Sequence, residues 1–185
     1  GRAPTGAANS RKQDPEAATI DPFSGRPVAG LFCNVVEPST GELYGRDPSS
    51  TATRAEAYLK QTGVGDTVFV GPEAEFFMFD DVRFEDSYAA SGFKIDDIEL
   101  TINTDTEYGM GNMGHHVPRK GGYFPVPPVD SLQDMRSEML SSMASMGVKV
   151  EKHHHEVASA QHELGVKFGP LVTLADHMQI YKYCI

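Results

Sequence analysis

Three stretches of the chain repeat apolar residues every three or four positions, which is the spacing of an amphipathic helix. The first begins after Asp47, a favoured N-cap, has Pro48 at its first helical position and ends near Gly63. The second carries a stripe of methionines that we interpret as core packing. The third reaches Ile185 without a stop signal, so we expect that the chain has been cut there. The predicted helices span 48–62, 130–146 and 171–185.

Shorter runs that are rich in valine and phenylalanine, or that alternate apolar and polar residues, predict strands. They lie at 28–37, 67–70, 73–79 and 93–101, and 148–168 is interpreted as two strands around a turn near Ser159 and Ala160. Repeated glycines mark 103–122, which is long for a simple connection, so we expect a functional loop or lid there. Residues 1–24 show no sustained period and predict a poorly ordered leader, followed by one domain over 25–185.

Composition narrows the class of protein. The chain has 185 residues, a formal net charge of −10 and 39% hydrophobic residues, which is ordinary for a soluble globular domain. The negative charge opposes binding to nucleic acid, because proteins gain most of that affinity from cationic side chains. No run of eighteen apolar residues occurs, so we expect no membrane partner. Two cysteines are too few for a disulfide framework and favour a cytoplasmic location.

Two short acidic blocks, far apart in the sequence, form the candidate functional site. In an extended chain Glu73 and Glu75 emerge on one face about 7 Å apart, which is repulsive unless a cation lies between them. The second block comprises 153–156 and 161–163 and contains Glu156 and Glu163. Carboxylate oxygens are the ligands that Mg²⁺ and Mn²⁺ prefer, and Mg²⁺ is commonly shared with a phosphate substrate. We therefore expect one divalent-metal site that serves phosphate chemistry.

The histidines beside the second block also raise the possibility of zinc. However, H-E-x-x-H is absent, because Ser159 occupies the position of the second histidine. On a strand His153 and His155 share one face while His154 and Glu156 share the other, so the three histidines cannot converge without a bend. A zinc hydrolase is therefore the weakest alternative. The phosphate-loop, dinucleotide-binding and serine-hydrolase motifs are absent as well.

Four longer motifs occur in a fixed order along the chain. They are V-G-P-E-A-E-F-F at 70–77, K-G-G-Y-F-P-V-P-P-V-D at 120–130, E-K-H-H-H-E-V-A at 151–158 and Q-I-Y-K-Y at 179–183. With them, the chain closely resembles type I bacterial glutamine synthetase from about residue 14 onward. The resemblance implies an α+β fold, in which a curved, mostly antiparallel sheet carries the carboxylates and the helices pack behind it. Members of that family are much longer, so the chain is similar to a truncated catalytic domain.

The resemblance also implies an activity, which is ATP-dependent ligation of glutamate and ammonia through a γ-glutamyl phosphate. Mg²⁺ or Mn²⁺ would offset the charge that builds between ATP and the carboxylate. The implied partners are glutamate, ammonium and ATP, and the parent protein would be a homo-oligomeric ring, a dodecamer. The implied site residues are Glu75, Glu156 and Glu163 for the metal that anchors glutamate, Glu73 for the metal beside ATP, Glu151 and Phe168 for the nucleotide, and Tyr123 with Glu156 for the ammonium pocket.

The chain departs from the family pattern in ways that affect these expectations. Glu163 lies seven positions after Glu156, whereas the family usually carries one more small residue before Gln161. A turn could absorb that loss, but a slip within a strand would send Glu163 to the opposite face. Several catalytic parts of the family would follow Ile185, so we expect no synthetase turnover from this chain alone. The alternatives are a non-catalytic metal-binding relative and a γ-glutamyl-amine ligase.

Overall fold

The computed structural model describes residues 10–13, 18–103, 107, 109 and 116–185, with side chains from residue 18 onward. In these ranges there are three α-helices, namely α1 Pro48–Thr62, α2 Gln133–Ser145 and α3 Leu171–Cys184. The predicted ends of α1 are confirmed. The Asp47 side chain accepts from the backbone N–H of Ser50 at 3.0 Å, and Gly63 closes the helix with φ 72°. Helix α2 begins three residues later than predicted.

The strands in the described part of the chain are short. They are β1 Ser10–Gln13, β2 Thr19–Ile20, β3 Ala29–Gly30, β4 Cys33–Val36, β5 Phe69–Val70, β6 Glu75–Phe77, β7 Asp81–Asp86, β8 Ser91–Asp96, β9 Val150–His155, β10 Gln161–Val166 and β11 Gly169–Pro170. Strands β6, β10 and β9 form a three-stranded sheet, in that order, and the others pair in twos. The ladders β1·β4, β2·β3, β5·β11, β6·β10 and β7·β8 are antiparallel. The predicted α+β class is confirmed.

The predicted leader contains two described strands, while its boundary at residue 24 stays a prediction, and two further parts of the sequence differ from their predictions. Within the predicted leader, β1 pairs with β4 and β2 pairs with β3, while 1–9 and 14–17 lie outside the described residues. Strand β7 was not predicted, because it is polar and exposed and gains its order from pairing with β8. The predicted strand over 93–101 ends at Asp96 and gives way to a 3-10 turn, Thr101–Asn103. Of the predicted loop over 103–122, residues 104–106, 108 and 110–115 lie outside the described residues.

The chain divides into two compact units. The first comprises Gly1–Pro72, Ser141–Lys149 and Val166–Ile185, and in it α1 packs against α3 and β4. The second comprises Glu73–Leu140 and Val150–Gly165 and contains β6 to β9 and most of β10. Both acidic blocks of the sequence belong to the second unit, so the candidate site is built within one unit. Among the described helices, none combines the length and apolar character needed to cross a bilayer.

Candidate metal centre

The β9–β10 hairpin carries the candidate site, and its two faces have different roles. Side chains alternate along a strand, so His153 and His155 project to one face while His154 and Glu156 project to the other. On β10 the same rule separates His162 from Glu163. The rings of His155 and His162 meet edge to face at 5.2 Å, which identifies their side of the hairpin as the core face. The opposite side is called the site face below.

On the site face His154, Glu156 and Glu163 converge. One possible ligand atom from each lies within 4.8 Å of those of the other two, and all three residues are buried. The His154 Nε2 lies 2.7 Å from Glu156 Oε1 and 3.4 Å from Glu163 Oε2. Buried carboxylates need a compensating positive charge, since an unpaired ion is expensive to remove from water. The two carboxylates supply the oxygen ligands that Mn²⁺ and Mg²⁺ prefer, and the His154 ring contacts both of them.

The electrostatics of the two carboxylates differ. Burial works to raise the pKa of Glu156, but hydrogen bonds from the His154 ring and the Val157 backbone N–H outweigh it and lower that pKa. Burial raises the pKa of Glu163, and the neighbouring charges of Glu156 and Glu73 raise it further, against the opposing effect of His154. Glu163 therefore takes up a proton more readily than an isolated glutamate, whereas Glu156 does so less readily. A divalent cation beside Glu163 would favour the ionised form of its carboxyl group.

The first acidic block lies beside this cluster. Glu75 on β6 is directly opposite Glu163 on β10, so the two side chains leave the sheet on the same face. However, Glu75 is not a member of the group of three, and its Oε2 accepts from the Gln161 side-chain amide at 2.7 Å. Glu73 is close enough for its charge to raise the pKa of Glu163. Metal binding by Glu73 and Glu75 stays a prediction.

Aromatic rings border the site face. The Phe124 ring stacks on His154, with centroids 4.6 Å apart and an interplanar angle of 2°. The Tyr123 ring meets the His154 ring edge to face at 5.6 Å and is 58% exposed, so its hydroxyl is accessible. The segment 122–124, which contains both aromatic residues, lies alongside the hairpin. It is held there by hydrogen bonds from Gly122 N–H to the Val157 carbonyl and from Phe124 N–H to the His155 carbonyl. Tyr123 therefore lies beside the cluster, where an ammonium pocket was predicted, and that role stays a prediction.

The core face contains a buried cation. Arg136 on α2 is 1% exposed and forms a two-point ion pair with Asp130, in which one N–H donates at 3.0 Å. It also contacts the Nδ1 atoms of His153 at 3.3 Å and His162 at 3.0 Å. Burial and the Arg136 charge lower the pKa of His153 and lower that of His162 to about 4. Both imidazoles are therefore neutral acceptors. Asp130 lies before α2, where its side chain also accepts from the Leu132 backbone N–H at 3.3 Å.

The histidines therefore do not form a zinc cluster. His153 contacts Arg136 and Ser137, and only His154 reaches the carboxylates of the site face. His155 has acceptors at both ring nitrogens, since Nε2 lies 2.7 Å from Glu99 and Nδ1 lies 2.7 Å from the Gly122 carbonyl. Burial works to lower the pKa of His155, but the hydrogen bond and charge of Glu99 raise it overall.

The shortened connection between Glu156 and Glu163 lies in a turn. Strand β9 ends at His155 and β10 begins at Gln161, so the missing residue falls between the strands. Ala160 adopts φ 61°, a left-handed conformation that is unusual for a residue with a side chain. The turn thus absorbs the loss, and Glu163 keeps the same face as Glu156.

The two predicted nucleotide contacts are both exposed. Glu151 lies on β9 in the second unit, and Phe168, in the first unit, is 73% exposed and meets Phe69 edge to face at 6.1 Å. Their role stays a prediction. Three buried residues were not predicted as parts of the site, namely His154 as a member of the cluster, Arg136 and Glu99. Strand alternation identified the face of His154, whereas the other two make tertiary contacts that no local pattern indicates.

A buried imidazole and two carboxylates on an antiparallel hairpin define an α+β protein with a candidate divalent-metal centre. Residues 45–185 match the family described as glutamine synthetase, catalytic domain. The chain is 67% identical over 172 residues to a glutamine synthetase of Bradyrhizobium diazoefficiens and 65% identical over 172 residues to one of Azorhizobium caulinodans. The chain belongs to the glutamine synthetase family, which confirms the resemblance predicted from its motifs.

The alignments cover nearly all of this chain but only part of each relative. The alignments include 93% of this chain but 37% of each relative, so the chain spans little more than a third of their length. The solved glutamine synthetase of Plasmodium falciparum shares the fold, with a TM-score of 0.77 at 24% identity over 94% of this chain and 35% of that one. The activity and the substrates of a whole enzyme are therefore matters for proposal.

Proposed function

We propose that this chain provides metal-binding carboxylates of an ATP-dependent glutamate–ammonia ligase. The observation that carries the proposal is the convergence of His154, Glu156 and Glu163 within 4.8 Å, in a chain of the glutamine synthetase family. Acidic residues that serve only to solvate the surface remain exposed to water. Here all three groups are buried, and the pKa of Glu163 is raised, first by burial, so a bound cation would relieve a real electrostatic cost.

In this proposal Glu156 and Glu163, with Glu75 opposite on β6, hold the cation that orients glutamate. Glu73 holds the second cation, beside the phosphates of ATP. When bound, Mg²⁺ or Mn²⁺ supplies positive charge that offsets the negative charge of the phosphate and the γ-carboxylate during phosphoryl transfer. The His154 ring contacts Glu156 and orients its carboxylate, as outer partners of metal ligands commonly do.

The same surface provides a place for ammonium. Glu156 attracts the cation, and its lowered pKa, set by burial against the stronger effect of hydrogen bonds from His154 and Val157, keeps it ionised. Its carboxylate can accept the proton that ammonium loses before ammonia attacks the acyl phosphate. The ring of exposed Tyr123 meets that of His154, and its hydroxyl would provide a second polar contact. Exposed Glu151 and Phe168 are proposed contacts of the nucleotide.

Titration calorimetry with Mn²⁺ tests the metal centre. The parent chain is expected to bind Mn²⁺, and Glu156→Gln or Glu163→Gln to weaken the affinity by more than about tenfold. Glu138→Gln, which changes an exposed carboxylate on α2, is the matched control and is expected to bind as the parent does. Absence of heat with the parent chain would favour an inert fragment that keeps the fold without the metal site. Affinity that survives removal of Glu73 and Glu75 but requires the three histidines would favour the zinc hydrolase.

Turnover is tested separately from metal binding. With Mn²⁺, ATP, glutamate and hydroxylamine, the chain alone is expected to form no γ-glutamyl hydroxamate, because it spans only 37% of its relatives. Product formation that Glu156→Gln abolishes would overturn this expectation. A cytoplasmic location and a ring-shaped homo-oligomer of the whole protein are further parts of the proposal.

A further inference from the structure

A second buried carboxylate, Glu99, connects a distant segment of the chain to the turn between β9 and β10. Glu99 is 3% exposed and lies between β8 and the 3-10 turn that follows it. Its Oε2 accepts from the Ala160 backbone N–H at 2.7 Å and lies 2.7 Å from His155 Nε2. His155 is the last residue of β9 and Ala160 immediately precedes β10. One oxygen atom therefore holds both ends of the turn.

The turn needs such a constraint for two reasons. Ala160 is held at φ 61°, where a residue other than glycine is disfavoured, and it is fully buried. In addition, Glu156 opens this turn and Glu163 lies on the strand after it, so the conformation of the turn decides whether the two carboxylates face each other. The other ring nitrogen of His155 lies 2.6 Å from the Glu156 carbonyl, which extends the connection from Glu99 to the backbone of a candidate ligand.

We propose that Glu99 is a positioning residue, which fixes the β9–β10 turn and thereby the spacing of the Glu156 and Glu163 carboxylates. The proposal rests on the metal centre proposed above. It assigns no contact between Glu99 and the cation. Instead, Glu99 acts through the backbone at Ala160 and through His155, and its loss lets the two carboxylates separate.

Two measurements on the whole chain test the proposal. Amide hydrogen exchange at Ala160 and Gln161 reports the turn without any metal, and the electron paramagnetic resonance signal of free Mn²⁺ reports the affinity of the site. Glu99→Ala is expected to speed exchange at both amides and to weaken Mn²⁺ binding about 10- to 100-fold. Glu99→Gln retains an acceptor oxygen and is expected to preserve the slow exchange and most of the affinity. If Glu99→Ala does not fold, Glu99→Asp, which is one methylene too short, replaces it with the same expectation.

Asp47→Ala is the control for lost stability, because it removes a buried carboxylate in the other unit. It is expected to leave both exchange at Ala160 and Mn²⁺ affinity unchanged. Unchanged exchange in Glu99→Ala would overturn the proposal, whether or not the parent chain binds Mn²⁺. Equal loss of affinity in Glu99→Ala and Asp47→Ala would also overturn it, since the effect would then follow general destabilisation. Failure of the parent chain to bind Mn²⁺ would refute the metal centre instead, and exchange alone would decide the role of Glu99.

Discussion

Arg136→Met tests the buried cation on the core face of the hairpin. The substitution keeps most of the side-chain volume but removes the charge, and it leaves the Asp130 carboxylate, which is 4% exposed, without its partner. It also deprives the Nδ1 atoms of His153 and His162 of their donor. Breaking a buried ion pair by removing one partner costs about 3–5 kcal/mol. Since domains are stabilised by only about 5–15 kcal/mol, the loss is expected to be a large part of the total.

Urea denaturation followed by circular dichroism measures this cost. The double substitution Arg136→Met with Asp130→Asn removes both charges, so it is expected to cost less than the two single changes together, with a coupling energy of about 1–3 kcal/mol. Arg83→Met is the matched control, because Arg83 pairs with Asp81 at 2.7 Å while its side chain is 75% exposed. An exposed pair contributes only about 0–1 kcal/mol. If Arg136→Met costs no more than Arg83→Met, or if the double substitution is simply additive, the buried-pair interpretation is wrong.

Four further measurements address the cap, the loop and the response to pH. Asp47→Ala removes the α1 N-cap and is expected to cost about 1 kcal/mol in urea denaturation, whereas Asp47→Asn, which can still accept, should cost less. Gly122→Ala places a Cβ 2.6 Å from a carbonyl oxygen just past β9, so a loss of about 1–3 kcal/mol in the same assay is expected; a neutral result would refute the close approach. Burial and neighbouring carboxylates raise the pKa of Glu163, so protons should compete with Mn²⁺ at this group, and Mn²⁺ should bind more tightly as pH rises through that pKa. Below that pKa, binding should release a proton, which calorimetry in buffers of different ionisation enthalpy measures. Glu163→Gln should abolish the release. His162, with a pKa of about 4 against 6.5 when unfolded, should lower the free energy of unfolding by up to about 3 kcal/mol as pH falls from 6.5 to 4. Asp97, with a pKa raised to about 6, should raise the free energy of unfolding by a similar amount as pH falls from 6 to 3.8. Urea denaturation of His162→Gln and of Asp97→Asn should therefore show opposite changes in the pH dependence of stability.

The parts of the fold that the sequence predicted depend on local signals. Helix α1 matched at both ends because its N-cap and its terminal glycine act on their own neighbours. Helix α2 began three residues late, and the Asp130 side chain before it accepts from the Leu132 backbone N–H. Strand β7 escaped prediction because its order comes from the β8 partner and not from an apolar pattern.

In the candidate site, too, features set by local sequence could be predicted and features set by tertiary contacts could not. Alternation along β9 was enough to place His154 and Glu156 on one face, and the conformation of the turn preserved the aim of Glu163. The position of β6 could not be predicted in this way. Glu75 lies opposite Glu163 because of the register between two strands that are far apart in sequence. The role of Glu99 is harder still to predict, because nothing local distinguishes it from the acidic residues around it.

The two faces of the hairpin balance their charges in different ways. On the core face the Arg136 charge is matched by Asp130, and its neighbours His153 and His162 are neutral, so the charges balance within the protein. On the site face two carboxylates contact a single imidazole, and a bound cation would balance their charge. Because adjacent residues of one strand project to opposite faces, substitutions can be assigned to one network or the other. Changes at Arg136 should therefore act mainly on stability, whereas changes at Glu163 should act mainly on metal affinity.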